Sequence, residues 1–540
     1  MKRLISAVTA VLLLISFSAC SGKGSGKAVS YPVDSSPATL DPQYADETGA
    51  KLIINNIFEG LVRLDGEGKI IPGIAESWDV SEDGLTYTFH LQSGTEWYCP
   101  STLKKEYGDE FYEKFSSEKV VAADFVFACR RTVDPATSSP LAHRLGVIIN
   151  ASEIAAGKAP VESLGVTAPD DNTVVFSLSQ VCPDFLRRLT ESEFMPCNED
   201  FFNQMGGRYG LTVRHIICNG PFYISYWDPE SSMTIKANKY YAGSRAVLPV
   251  SVSLSFGNDS ETTLRKLASS SLSAAFVGPE AVLPDNVNVE KTIINTVYGF
   301  MFNCADESLK SANIRKALCG SIDRSLFTLS GDNIYEQRGI IPESCVIGDT
   351  SYRLRAQGHD PSVSYDPEVA LNRWNKGLEK LEAEKISLEL ICPEEFDAVV
   401  KSQLQVWQKL FGLSLTVTVR DMTADEIASA VRKGDYQIAL GAIKAEQNDA
   451  VSFLTSLNDD NPFNYTSSKY SQTLAGLVTL TSEEDIIGAC FTAEEYLLSQ
   501  GVCYPVYAKA ARLAVSKDAA GIEMPGTEAT VSFIQARRFD

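Results

Sequence analysis

In the segment GLTYTFHLQSG, Leu85, Tyr87, Phe89 and Leu91 alternate with Thr86, Thr88 and His90. That period of two predicts a strand with one face buried. NTVVFSL at 172–178 repeats the pattern through Val174, Phe176 and Leu178, and helices are predicted over Asp124 to Arg131 and Asp184 to Leu189. The last third has a different rhythm. ISLELIC (386–392) reads as a strand, and Val400, Leu404, Trp407 and Phe411 then share one helix face that Gly412 terminates. LSLTVTVR follows, with Leu413, Leu415, Val417 and Val419 on one side. Thr423 and Glu426 form a capping box for a short helix ending near Gly434, before the strand YQIALGAI. Strand, helix, strand, helix, strand at these lengths predicts a mostly parallel α/β sheet. Ligands of such sheets sit beyond the carboxyl ends of the strands, which places Lys444, Ala445 and Glu446 at a mouth.

The amino terminus is patterned for export. Leu4 to Ala19 is uncharged and too short to span a bilayer, so residues 1–19, with basic Lys2 and Arg3, an apolar centre and small Ser18 and Ala19, read as a signal peptide. The stretch resembles a bacterial lipoprotein signal, in which the cysteine after the small residues receives a diacylglycerol on sulfur. That resemblance implies lipidation of Cys20, with residues 20–27 as a flexible tether, although Phe17 stands where such signals most often carry Leu. Ordinary secretion with a free Cys20 is the alternative. No other segment is long and apolar enough to cross a membrane.

Composition narrows the partners. The 48 basic and 69 acidic residues give a net charge of −21, and loss of Lys2 and Arg3 with the leader takes it to −23. Such a surface repels phosphate backbones, so nucleic acid is not an expected partner. Twelve cysteines less Cys20 leave an odd number without a CxxC pair, so at least one is a free thiol or forms an intermolecular bond. Cys182 with Cys197 and Cys304 with Cys319 are the nearest candidates for pairing. The chain exceeds what one core serves, so two or more lobes are expected. Chemistry for catalysis or a bound metal is absent: the four histidines form no HExxH, there is no GxSxG, GKGSGKA lacks the first Gly and the Ser/Thr of a phosphate loop, and the single SxxK lacks its companion motifs. Neither a cofactor nor a resident metal is expected.

Several stretches occur in the order of one family. They are ATLDPQ (38–43), IFEGLVRLDGEGKIIPGIAESWDVSEDGLTYTFHL (57–91), VVAADFVFACRRTVDP (120–135), NGPFYISYWDPESSMTIKANKYY (219–241), NIRKALCGSIDR (313–324) and YDPEVALNRW (365–374). Together they resemble the bacterial extracellular solute-binding proteins of family 5, the peptide and nickel class serving ABC importers. The resemblance runs from about residue 38 to 510. Each motif also has a structural reading: Asp41 and Pro42 make a turn, and Ile314, Ala317 and Leu318 make a core face on a helix headed by Asn313.

The resemblance implies a two-lobe periplasmic-binding-protein-like α/β fold with an extra subdomain on the first lobe and the ligand in the cleft between lobes. It divides the chain into a first lobe of 28–56, 190–285 and 506–540, an extra subdomain of 57–189 and a second lobe of 286–505. It implies a monomeric, lipid-anchored receptor outside the membrane, capturing an oligopeptide or similar small solute for an ABC permease. A metal complex, a sugar or another non-peptide ligand on the same scaffold is the alternative, and a secreted hydrolase is the alternative of a different class.

In the family's peptide-binding members an aspartate after the strand equivalent to YQIALGAI holds the peptide's α-ammonium. Aligned through VSFL (451–454), Glu446 takes that position, although Ile443 replaces a tryptophan of those members. The opposite wall is expected to include Glu47, Thr48 and Gly49, whose backbone could pair with an extended peptide. Tyr298 and Asn303, from YGFMFN, are further candidates. YCPSTLKKEYGDEFYEKFSSEK (98–119) interrupts the family pattern after Trp97 and is expected to form a surface hairpin or loop.

Overall fold

The computed structural model describes residues 28–539 apart from 183, 279–280, 328–333, 349, 446–448, 459–460, 478–479, 481 and 527–530. The leader, Cys20, the tether and Glu446 therefore lie outside the described residues. No helix among the described residues is long and apolar enough to cross a membrane.

Three sheets organise the chain. A four-stranded sheet in the order Val29–Val33, Ser251–Phe256, Ser232–Ala237, Phe222–Asp228, its first pair parallel, is built from the segments expected to form the first lobe. A second four-stranded, antiparallel sheet of Ala75–Val80, Thr86–Leu91, Thr173–Ser177 and Val166–Asp170 lies within the segment expected to form the extra subdomain. Here Tyr87, Phe89 and Leu91 point inward, as their spacing predicts. Helix Ala122–Val133 covers the predicted helical segment, and Phe185–Arg188 is a single turn.

The third sheet has the order Ala274–Val277, Cys503–Ser516, Val287–Phe302, Ile438–Lys444, Ile386–Pro393, Leu415–Met422, with Ile334–Glu336 also paired to Cys503–Ser516. Its two long strands are antiparallel neighbours that pass from one core to another. Ile293, Leu513 and Val515 belong to the first lobe's core, whereas Phe300, Phe302, Tyr504 and Val506 pack with Trp374 and Trp407 in the second lobe. The strands Ile386–Pro393, Leu415–Met422 and Ile438–Lys444 run parallel with helices between them, the α/β run predicted from sequence. Gly412 and Gly434 end those helices at φ 59° and 73°, where a side chain would be strained. The Thr423 and Glu426 capping box is present.

Four details differ from the sequence reading. Leu413 falls in the turn before the strand and is 92% exposed, because the strand begins only at Leu415. The insertion is helical: Thr102–Tyr107 and Asp109–Phe115 bury Leu103 and Phe115, and the Phe115 ring meets Phe201 edge-on at 5.2 Å. Ser311, not Asn313, stands at the cap of helix Ala312–Gly320. All eleven cysteines after Cys20 are unbonded thiols, so neither candidate pair forms a disulfide.

The recurring motifs lock onto one another. Asp41 of TLDP receives two bonds from Arg131 of the CRRTVDP stretch, at 3.2 and 2.6 Å, while the guanidinium lies 3.7 Å over the Phe202 ring. Asn219 of NGPF exchanges bonds with the backbone N–H and carbonyl of Glu59. Asn56, just before that glutamate, ties the helix to the backbone of Val531 and Phe533. Each pairing satisfies a buried polar group that would otherwise be costly.

Candidate functional site between the lobes

The carboxyl ends of the three parallel strands meet the crossing strands at one mouth. Along one sheet face, Phe300 and Leu440 are fully buried under helices, yet one step further along the strand Ala442 is exposed, and Lys444 after it is exposed too. The face therefore emerges from the second lobe's core toward the first lobe. Register places Thr296 opposite both Lys444 and Lys509, and Tyr298 opposite both Ala442 and Tyr507. Residues directly opposite across antiparallel strands share a face. Tyr298 stacks on Tyr507 with centroids 4.9 Å apart, Lys509 Nζ lies 5.3 Å from the Tyr298 ring and 5.3 Å from that of Phe396, and the same ammonium donates to Glu395 Oε1 at 3.0 Å.

The strand Ile438–Lys444 is flanked on one side along its whole length by Val287–Phe302. On its other side pairing with Ile386–Pro393 is confined to Leu390 with Ile438 and Ile391 with Ala439. Beyond Ala439 that edge has no strand beside it among the described residues. An unpaired strand edge is a template for an added strand.

A second contact closes the gap from the extra subdomain. Arg188 donates to Asp184 Oδ2 at 2.8 Å and to Ser452 Oγ at 2.9 Å, and Ser452 Oγ lies 3.3 Å from Asp184 Oδ2. Ser452 belongs to the second-lobe helix Ala450–Ser456, which is capped by Asp449 through the Ser452 N–H. Burial first, and the charge of Asp184 second, push the Asp449 carboxyl up to about 7 against the opposing Ser452 N–H and Arg188. Nearby, a cavity of about 400 Å³ lies between Glu67, Arg187 and Pro525 on one side and Tyr335, Glu343 and Ser344 on the other.

The sequence candidates do not all meet. Glu47 precedes the helix Thr48–Ile57 at its cap position, and Gly49 packs that helix so tightly that an added Cβ would lie 2.7 Å from Val33 Cγ1. Asp46, which sequence reasoning passed over, pairs with Lys51 at 2.5 Å and with Arg144 at 3.3 Å. Tyr298 stands at the mouth. Asn303 lies five residues along the same strand direction, roughly 17 Å away at strand rise, and is buried at the other end of the second lobe. Its side chain bonds the carbonyls of Gly434 and Tyr436 and accepts from Ala305 and Asn464, so its polar atoms are engaged in holding the turn. Lys509 and Glu395 were missed; a single lysine inside the apolar run YPVYAKAARLAV is the signal that could have found the first. The latch of Asp184, Arg188, Asp449 and Ser452 joins segments 260 residues apart, which no local pattern reveals.

Comparisons with known proteins agree with this architecture. The family model described as bacterial extracellular solute-binding proteins, family 5 Middle, matches residues 69–465. The probable deoxycholate-binding periplasmic protein YgiS of Escherichia coli is 26% identical over 88% of this chain and 87% of its own length. The oligopeptide-binding protein OppA of Bacillus subtilis is 23% identical over 98% of each chain. The crystal structure of Haemophilus influenzae OppA in complex with RPPGFSPFR superposes with a TM-score of 0.73 at 22% identity, covering 96% of this chain and 99% of that one.

Proposed function

Because the chain belongs to the bacterial extracellular solute-binding proteins of family 5, a family of binding proteins and not of enzymes, we propose that it captures oligopeptides between its lobes and delivers them to an ABC permease. The observation that carries the peptide reading is the strand edge beyond Ala439, which no strand pairs among the described residues. An extended peptide can complete that edge through main-chain hydrogen bonds, which give affinity without dictating side chains. Closure over it excludes water and strengthens each polar contact. Glu446, placed by sequence just after this strand, supplies a carboxylate for the peptide's α-ammonium. A lipid on Cys20 holds the receptor at the outer face of the membrane, and the tether gives it reach.

Native mass spectrometry of the purified protein, searching for a co-purifying ligand, followed by calorimetry with a peptide panel, tests the reading. Peptides bind and are recovered uncleaved, and Glu446→Gln weakens free peptides much more than N-acetylated ones. Equal loss for both refutes the ammonium role. Deoxycholate belongs in the panel because of the YgiS likeness; binding of that steroid with no peptide bound would replace the peptide reading.

A further inference from the structure

Resting on the peptide reading, we propose that the cavity of about 400 Å³ beyond the mouth is an oxyanion subsite, in which Lys291 receives a carboxylate of the ligand. The crossing strand leads to it. Thr296 pairs with Lys444, and the Ala445 N–H donates to the Asn295 carbonyl at 3.1 Å. The two strands are antiparallel, so the residues before Asn295 continue past the carboxyl end of Ile438–Lys444. Lys291 and Thr292 line the cavity from this strand, Tyr335 from the strand Ile334–Glu336 and Arg187 from the turn Phe185–Arg188.

Lys291 stands there without an acid. Its Nζ donates to the Met524 carbonyl at 2.6 Å, which uses one of the three hydrogens of the ammonium, and no carboxylate pairs with it among the described residues. The side chain is half-buried, and burial together with the nearby charge of Arg187 holds the ammonium below its ordinary range. A cation so placed is costly until an anion reaches it. Arg187 is itself engaged, donating to the Gly68 carbonyl at 3.0 Å, and what it brings to the cavity is its charge. Glu67 and Glu343 border the same space but are exposed, Glu67 beside Lys69 at 3.4 Å, and neither pairs with Lys291. The hydroxyls of Thr292 and Tyr335 bond no protein group among the described residues, so both are left to donate to a ligand oxygen. An entering carboxylate gains a charge-assisted bond and pairs the ammonium in one step, whereas a neutral isostere leaves it unpaired. An acidic side chain and a peptide C-terminus share this chemistry.

Calorimetry separates the two sources. The C-terminal amides of Ala-Glu-Ala and Ala-Gln-Ala compare an acidic side chain with its neutral isostere, and Ala-Gln-Ala against its own amide isolates the C-terminus. The wild-type protein binds one of these acids about tenfold more tightly than its neutral counterpart, and the preference shrinks as sodium chloride is raised. Lys291→Met abolishes the preference, Lys291→Arg keeps it, and Tyr335→Phe reduces it, while the neutral amide's affinity stays within a fewfold in all three. Equal affinity for acid and neutral forms in the wild type, with the peptides still binding, overturns the subsite and leaves the peptide reading standing. A preference that Lys291→Met leaves intact does the same. Failure of every peptide to bind overturns both. Should Lys291→Met fail to fold by its thermal melt, the remaining measurements decide: a preference that neither salt nor Tyr335→Phe reduces overturns the subsite.

Discussion

Replacing Asp449 by Asn should remove a proton uptake that accompanies ligand binding. The Asp449 carboxyl is 5% exposed, faces Asp184 and Arg188, and has the thiols of Cys182, Cys345 and Cys490 in its surroundings; under the proposed reading this is the closed arrangement. Burial first, and Asp184 second, raise it from 3.8 to about 7. Opening withdraws Asp184 and Arg188 and returns water, so the open-state carboxyl moves back toward its ordinary range. Between the two values the closed state holds a proton that the open state lacks. Closure and the binding coupled to it are therefore favoured as pH falls through 7 and lose that contribution as pH rises through it, the sign expected for a raised carboxyl. The full displacement corresponds to a ceiling of roughly 4 kcal/mol. Part of the burial belongs to the second lobe itself and persists on opening, and Arg188 is shared with Asp184, so about 1.4 kcal/mol, a tenfold change in Kd, is the working expectation. Asn keeps an oxygen to accept the Ser452 N–H, so the helix cap survives. Calorimetric titration of a peptide ligand in buffers of different ionisation enthalpy reads the uptake directly. Wild type should take up a fraction of a proton near pH 6.5 and bind about tenfold more tightly at pH 6 than at pH 8. Glu191, which burial and Glu193 push up to about 6, contributes equally to both proteins and cancels in the comparison. An uptake unchanged by Asp449→Asn would refute the reasoning.

Two further outcomes are expected. Arg131→Met strands the buried Asp41 carboxylate and should cost about 3–5 kcal/mol in urea unfolding; a loss below about 1 kcal/mol would show that the lock between these motifs is not a main support of the first lobe. Cys20→Ser should abolish incorporation of labelled lipid and release the protein from the membrane, and unchanged labelling would rule out attachment at that residue.

What could be read from the chain follows physical range. Thr86–Leu91 and the alternation of strand and helix from Ile386 to Lys444 are written in periodicity and caps, because burial of one face and termination by Gly412 and Gly434 are decided within a few residues. Leu413 shows the limit: its hydrophobicity fits the strand pattern, yet the strand starts two residues later and leaves it in water. The insertion defeated the reading because Phe111 and Phe115 find Phe201 far along the chain, and Leu103 is buried as well. The mouth was located by strand direction, but Lys509 reaches it on a strand that returns from the carboxyl-terminal segment. Its partner Glu395 lies 114 residues before it, in the turn after strand Ile386–Pro393, and only the tertiary fold joins them.

The two long crossing strands set how the receptor can move. Because Val287–Phe302 and Cys503–Ser516 are hydrogen-bonded to each other, they cannot swing independently as two separate threads would. Their pairing slips between Ile293 and Thr296 and again between Tyr298 and Gly299, which weakens the ladder where the first lobe's core ends and the second lobe's begins. The ribbon is stiff within its plane and compliant at those slips, so opening is confined to a bend about one axis across the ribbon. Thr296 and Tyr298 border the compliant stretch. On the proposed reading, a ligand held there would touch the pivot itself, and its occupancy would act on the angle between the lobes without any relay through either core.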